Sequence, residues 1–364
     1  MSSLRVLYDG WSLSYEPNSP AALHLLALLA YLPAHIQPVV AFPGTPPAWI
    51  PARGQAYIAS TPVSARLQWE QQILPKLRTQ LEADVLHLMT EAASLLNGTR
   101  TVISPTQAGN FDEPRGEPRV GLRGRLREAL AAGGTARVQA LFWPEDLPPR
   151  PGREVFSLPP IVHPAFTPHE SPELPSIPDI EIPASYVLYH GPDDEASLRR
   201  TLGAWTWVAG PIGLEFPLVM LGLGEAARRI VGELAETFKV RDTVRLLPAL
   251  PPSSVPALYQ KAAVVFHPAG VSAWGGAIRH GLACGRPVVA AETAWASAMV
   301  GPAAILVPPE DTRRLGASVI GIIVKEDLFA RLQEAAEERS ENWRAEDWGD
   351  KLATAYARIL KFPG

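Results

Sequence analysis

Cysteine is all but missing: Cys284 is the single one in 364 residues. One thiol forms no intrachain disulfide and no cysteine-rich metal centre. Its place in an apolar helical segment marks it as a packing residue rather than a nucleophile. Long hydrophobic runs are missing too. The most apolar segment, "AALHLLALLAYL" (21–32), contains His24 and is bracketed by Pro20 and Pro33. It is too short for a membrane span and reads as a buried first helix. No signal peptide is expected, because "MSSLRVLYDGW" runs straight into a strand pattern. Neither sign of charge dominates: 33 Lys and Arg stand against 37 Asp and Glu. That balance gives no basis for a nucleic-acid partner. The expected setting is cytoplasmic, with at most a peripheral place at the inner membrane face.

Proline is present in excess. Its 38 copies are roughly twice the ordinary share, which stiffens loops by restricting the unfolded chain. Hydrophobic residues make up 47% and charged residues 19%, a globular composition. The length suits two domains, each able to bury its own core.

Short apolar runs alternate with helical periodicity, which points to α/β architecture with parallel sheets. In the first half, "RVLYDG" (5–10), "QPVVAF" (37–42), "DVLHLM" (84–89), "RTVISP" (100–105) and "RVQALFW" (137–143) read as strands, with helices at 20–32 and 66–82. Proline then recurs every few residues from Phe156 to Tyr186 and no amphipathic period survives, so this stretch reads as a stiff connection. The second half restarts the pattern. Strands are expected at 185–191, 217–222, 244–248, 263–268, 287–291 and 304–308. Helices fit 194–208, 225–238, 254–262, 275–283, 312–324 and 326–339. In the last stretch Trp348, Leu352, Tyr356 and Leu360 share one helical face. The expected division is 1–158, joined by a returning helix at 345–362, then a linker at 159–184 and a second domain at 185–344. Ligands of such folds bind where the carboxyl ends of the strands converge, so a cleft between the two domains is the expected site.

Two turns carry phosphate-binding features. Gly275 and Gly276, after Trp274, open a helix whose first amides favour an anion such as diphosphate. "GLGE" (222–225), with Gly222 and Gly224, lies between a strand and a helix. A packing turn explains either pair equally well, and Trp274 would serve either as a cover for a sugar or base or as core.

"HGLACGRPVVAAETAWASAMVGPAAILVPPED", preceded by "VRLLPALPPSSVPALYQKAAVVFHPAG" and "SYVLYHG", resembles the glycosyltransferases of family 4 over about residues 185–310. "DVLHLMTEAASLL" and "LPPIVHPAFTP" add a weaker likeness in the first half. The resemblance implies a GT-B fold of two Rossmann-like domains, no metal or resident cofactor, and a UDP- or GDP-sugar donor used with retention. It places two donor-contacting glutamates eight positions apart, at positions held here by Ser272 and His280. Serine is short and neutral, and neutral imidazole offers one acceptor and one donor where a carboxylate accepts several bonds. The family's basic pair beside the diphosphate falls near "HGPDDEASLRR". Three acids stand there, and Arg199 and Arg200 follow a turn later. The N-domain glycine loop is replaced by "SYEPNSPAAL", whose Pro17 and Pro20 lack amide donors. His87, at a strand end, is the acceptor-side candidate and otherwise a hydrogen-bonded structural histidine. Arg119, Arg123 and Arg127, at four-residue spacing beside leucines, form either a solvated face or a contact for a glycan, a lipid-linked acceptor or an anionic membrane.

These residues leave three functions open. One is an active transferase with Ser272 and His280 in altered roles and His87 facing the acceptor. Another is a catalytically silent relative serving as scaffold or partner subunit of another protein. The third is a nucleotide- or glycan-binding module.

Overall fold

The computed structural model describes residues 4–49, 55–58, 66–95, 100–106, 122–138, 140–148, 154–168, 173–178, 180–344 and 347–361. The chain divides into two compact units. One contains Met1–Gln107, Arg115–His163 and Ala345–Gly364; the other is built from Pro164–Arg344.

Seven parallel strands make the sheet of the first unit: β1 (Leu4–Asp9), β2 (Ile36–Phe42), β3 (Gln55–Ile58), β4 (Val85–Leu88), β5 (Thr101–Ile103), β6 (Ala140–Pro144) and β7 (Glu154–Leu158). They lie in the order β3-β2-β1-β4-β5-β6-β7. Every residue of β4, β5 and β6 is buried, as expected for strands covered on both faces, which read as continuous apolar runs. The order reverses between β1 and β4, so their carboxyl ends flank the switch point of this unit. Gly10 follows β1 because nothing larger fits: a Cβ there would lie 2.5 Å from the Ala41 carbonyl oxygen.

The apolar segment after β1 forms α1 (Trp11–Tyr15) and α2 (Pro20–Ala30). Ser19 caps α2 by accepting from the Ala22 amide, Pro20 sits at its first turn, and residues 21–29 are all buried. The helical stretch Arg66–Gln80 contains a π-helical turn at Trp69–Ile73, and Trp69 is fully buried. The C-terminal helix α3 (Trp348–Ile359) belongs to this unit. Trp348, Leu352 and Tyr356 are buried and Leu360 is half-buried just beyond its end. Trp348 Nε1 donates to the Pro159 carbonyl at 2.8 Å.

The second unit has six parallel strands: β8 (Val187–Tyr189), β9 (Leu218–Met220), β10 (Val244–Leu246), β11 (Val264–His267), β12 (Val288–Ala291) and β13 (Ala304–Val307). Their order is β10-β9-β8-β11-β12-β13, which puts the switch point between β8 and β11. The core gathers Val187, Leu202, Trp205, Met220, Phe266 and Ile322 from both layers. Asp194 caps the Glu195–Ile212 helix, accepting from the Ser197 amide at 3.0 Å.

Two strands differ from the sequence expectation. Strand β3 was not legible, and β7 takes residues 154–158 into the sheet although proline-rich patterning suggested a connection from Phe156 onward. Both lie at sheet edges. An edge strand has one free side, so it needs neither length nor a continuous apolar pattern.

Candidate functional site

The loop after β11 and the short helix that follows it carry five of the donor-side candidates: Ser272, Trp274, Gly275, Gly276 and His280. Gly270 and Gly275 adopt left-handed backbone, with φ of 45° and 64°, a conformation that glycine takes without steric cost. Ser272 donates its hydroxyl to the Trp274 carbonyl, so its side chain closes the turn. Gly276 caps the short helix Ala277–Ala283; a Cβ there would meet Ser272 Cβ at 3.0 Å. The indole of Trp274 is fully buried and packs as core. His280 stacks on Phe166 with ring centres 4.1 Å apart and meets Tyr259 edge-on at 5.6 Å. Every residue from 271 to 285 is buried. Ser272 and His280 therefore present no side chain to solvent.

The acids that follow β8 have local partners. Asp194 is a helix cap, and Glu195 pairs with Arg199 at 3.2 Å on an exposed face. Arg199 is thus held along its own helix, while Arg200 is half-buried. After β9, Gly222 has φ of 79° and Gly224 caps the Glu225–Thr237 helix without a side-chain bond. Both glycines are exposed. An added Cβ at Gly224 would lie 3.5 Å from the Asp193 carboxylate, so this turn offers amides beside a negative charge.

Two histidines that the sequence did not single out flank the switch point. His190, just past β8, shares a 2.8 Å hydrogen bond with the Tyr259 hydroxyl through Nδ1. His267, at the end of β11, donates from Nε2 to the Gly270 carbonyl, which leaves Nδ1 as the acceptor of a neutral ring, without a partner among the described residues. Burial pushes its pKa down to about 4. A surface hollow of about 870 Å³ bordered by Leu214, Glu236 and Arg245 lies beside the edge strand β10. It contains none of these residues.

Residues 196–324 match the sequence model of the family described as Glycosyl transferases group 1. The matched stretch lies within the second unit. A curated relative, the O-antigen chain mannosyltransferase B of Escherichia coli, is 24% identical over 136 residues, which is 37% of this chain and 36% of the relative. The chain thus matches only about a third of that relative's length. Among solved structures, the lipopolysaccharide glycosyltransferase WaaG aligns with a TM-score of 0.70 at 14% identity, over 98% of this chain and all of its own. Sucrose-phosphate synthase of Thermosynechococcus elongatus aligns at 0.68, 14% identity and 98% and 99% coverage. HepE of Anabaena, solved with UDP and glucose, aligns at 0.67, 14% identity and 97% and 99% coverage. At such identities the likeness is one of fold: both units are the Rossmann-like domains of GT-B proteins.

The first unit holds its polar residues differently from the sequence expectation. His87 lies inside β4, fully buried, with both ring nitrogens engaged: Nδ1 with the Tyr356 hydroxyl at 2.6 Å and Nε2 with Ser104 Oγ at 2.8 Å. Tyr356 in turn meets the Tyr8 hydroxyl at 3.1 Å. Burial, with His24 nearby, holds the imidazole pKa well below the ordinary value. His87 thus ties α3 to β1, β4 and the residue after β5. Arg119 lies outside the described residues, as do the side chains of Arg123 and Arg127; the backbone of the last two is in the Leu122–Thr135 helix.

The chain's sequence did not disclose the cluster at the end of β1. Asp9 Oδ1 accepts from the Trp11 amide at 2.9 Å and from Trp69 Nε1 at 2.8 Å. Arg66 bridges Glu16 and Glu70, each at 2.9 Å, and lies 6.0 Å from the Trp11 ring centre. Burial raises the Asp9 pKa, against the pull of its hydrogen bonds and Arg66. The members come from positions 9 to 70, so no local motif announces them.

Proposed function

We propose that this chain is a retaining glycosyltransferase of family 4 that moves a sugar from a nucleotide-sugar donor to an acceptor hydroxyl. The observation that carries the reading is the group 1 match over residues 196–324, which takes in β11, on one side of the second unit's switch point, and the Ser272–His280 segment. A mannosyltransferase among its relatives and HepE, solved with UDP and glucose, support a nucleotide-sugar as the donor class. In this reading the amides at Gly275–Gly276 and at the Gly222–Gly224 turn hold the diphosphate, with Arg200 as the nearby cation. Trp274 and His280 shape the wall behind the donor, and Ser272 fixes the turn. His267 Nδ1 and the His190–Tyr259 pair stand at the strand ends where the donor's hydroxyls come to lie. A glycan or lipid-linked molecule supplies the acceptor hydroxyl to the first unit.

A second reading has an observation of its own. Ser272 bonds to its own turn and His280 is enclosed by Phe166 and Tyr259. No carboxylate stands at either position, which favours a catalytically silent relative acting as a scaffold or partner subunit. Calorimetric titration with UDP, GDP and their sugar conjugates separates the two. Binding accompanied by slow donor hydrolysis is the expected result. No binding at millimolar nucleotide leaves the silent relative standing.

A further inference from the structure

At the first unit's switch point, the carboxyl end of β1 presents a half-held carboxylate. Two N–H donors fix Asp9 Oδ1. Oδ2 has no partner among the described residues, and Asp9 is half-buried rather than sealed. Directly after it, α1 brings an aromatic pair: Trp11, nearly buried, and Tyr15, 54% exposed, with ring centres 4.6 Å apart. Trp11 is thus a backing for Tyr15, whose ring keeps a face in solvent. On the same helix Ser14 Oγ is buried without a partner among the described residues. Arg66 fastens the assembly by pairing with Glu16 and Glu70 beside Trp11.

A fixed carboxylate oxygen accepts from hydroxyls, and an exposed ring packs against an apolar face. A pyranose offers both, with C–H bonds on one face and hydroxyls at its rim. The local charge narrows the class further. Among the described residues, Asp9, Glu16 and Glu70 outnumber the guanidinium of Arg66, so a phosphate brought here meets net repulsion from them. We propose that Asp9 and Tyr15 form a subsite for an uncharged saccharide, which makes the acceptor a neutral glycan end rather than a phosphorylated one. Asp9 Oδ2 takes a hydroxyl of the sugar and Tyr15 takes its C–H face. The acceptor assignment rests on the transferase reading; saccharide binding at this place does not.

Trp11 and Trp69 report on the subsite, since both touch Asp9 or Tyr15. The full chain is titrated with mannobiose, maltose and lactose, and with mannose 6-phosphate, following tryptophan fluorescence and saturation-transfer NMR. At least one neutral disaccharide binds in the millimolar range and the sugar phosphate does not. Tyr15→Ala weakens binding about tenfold and Tyr15→Trp restores it. Asp9→Asn retains an oxygen for the two N–H donors yet weakens binding about fivefold or more. All three variants keep the wild-type unfolding midpoint. The proposal falls if no neutral disaccharide binds, if Tyr15→Ala and Asp9→Asn bind like wild type, or if mannose 6-phosphate binds as well. A separate UDP titration keeps the two readings apart: nucleotide binding without saccharide binding overturns only this subsite, and the reverse overturns only the transferase.

Discussion

Ser272 illustrates how a crowded turn limits what a substitution restores. Reintroducing a carboxylate at this position looks like a repair of the donor site, but the residue is 4% exposed and sits 3.0 Å from where a Gly276 side chain would begin. Ser272→Glu places a longer, charged group where the hydroxyl now bonds to the Trp274 carbonyl. A buried charge without a partner costs several kcal/mol. We expect Ser272→Glu to lower stability by about 3 kcal/mol in urea unfolding and to leave donor hydrolysis no faster than wild type. A variant that folds normally and hydrolyses the donor faster would show that the turn opens more readily than its packing indicates. Gly276→Val meets the same obstacle, since its side chain must displace Ser272 before any ligand is involved.

His87 gives the residue scale a pH dependence. Its folded pKa is far below the ordinary value because burial disfavours the cation. As pH falls through about 6.5, the ring protonates in the unfolded chain but not in the folded one. The unfolded state then binds more protons, so stability is complete above that value and declines below it. His267, pushed down to about 4, adds a loss of the same sign that runs until pH reaches its folded pKa. Urea midpoints measured from about pH 8 to about pH 5 should fall, and His87→Gln, which cannot titrate, should flatten the slope. A midpoint that holds steady over that range in wild type would contradict the buried neutral imidazole.

Among the elements, α3 is held by close approach as much as by apolar burial. Gly349 lies where a Cβ would come 2.2 Å from the Tyr31 carbonyl oxygen and 3.0 Å from Pro33. Alanine is the better helix former by about 1 kcal/mol, yet Gly349→Ala should destabilise the chain by about 1–3 kcal/mol because the helix must lift off its seat. Unfolding of that variant decides the matter, and a gain in stability would mean the helix shifts freely. The helical face of Trp348, Leu352 and Tyr356 was legible in the sequence because the spacing records which side is buried. The tight seat of Gly349 was not, since it depends on a carbonyl more than three hundred positions away. The same holds for strands. The central ones carry continuous apolar runs and were legible, whereas β3 and β7 lie at edges with one side unconstrained. The π-helical turn at Trp69–Ile73 also escaped notice, because Trp69 is turned toward a hydrogen bond with Asp9 sixty residues earlier.

For the whole molecule, the sequence disclosed two parallel α/β units and the second unit's resemblance to glycosyltransferases, but not which polar residues are enclosed. Motif positions identify Ser272 and His280; only packing reveals that both are enclosed, and only the sheet order brings His190 and His267 to one switch point. That order leads to a spatial expectation for ligand binding. A ligand that binds only the folded state stabilises what it touches by RT ln(1 + [L]/Kd), about 2.7 kcal/mol at a hundredfold excess over Kd. Hydrogen exchange reads that gain locally. With UDP, added protection should concentrate in β8, β11 and the segments 190–194, 222–225 and 268–276. With a neutral disaccharide it should concentrate in β1 and α1. Protection by UDP confined to β1 and α1 would move the nucleotide out of the second unit and remove Gly275–Gly276 from its binding. Protection in the 268–276 segment would instead show that the buried turn admits a pyrophosphate once its amides have an anion to meet.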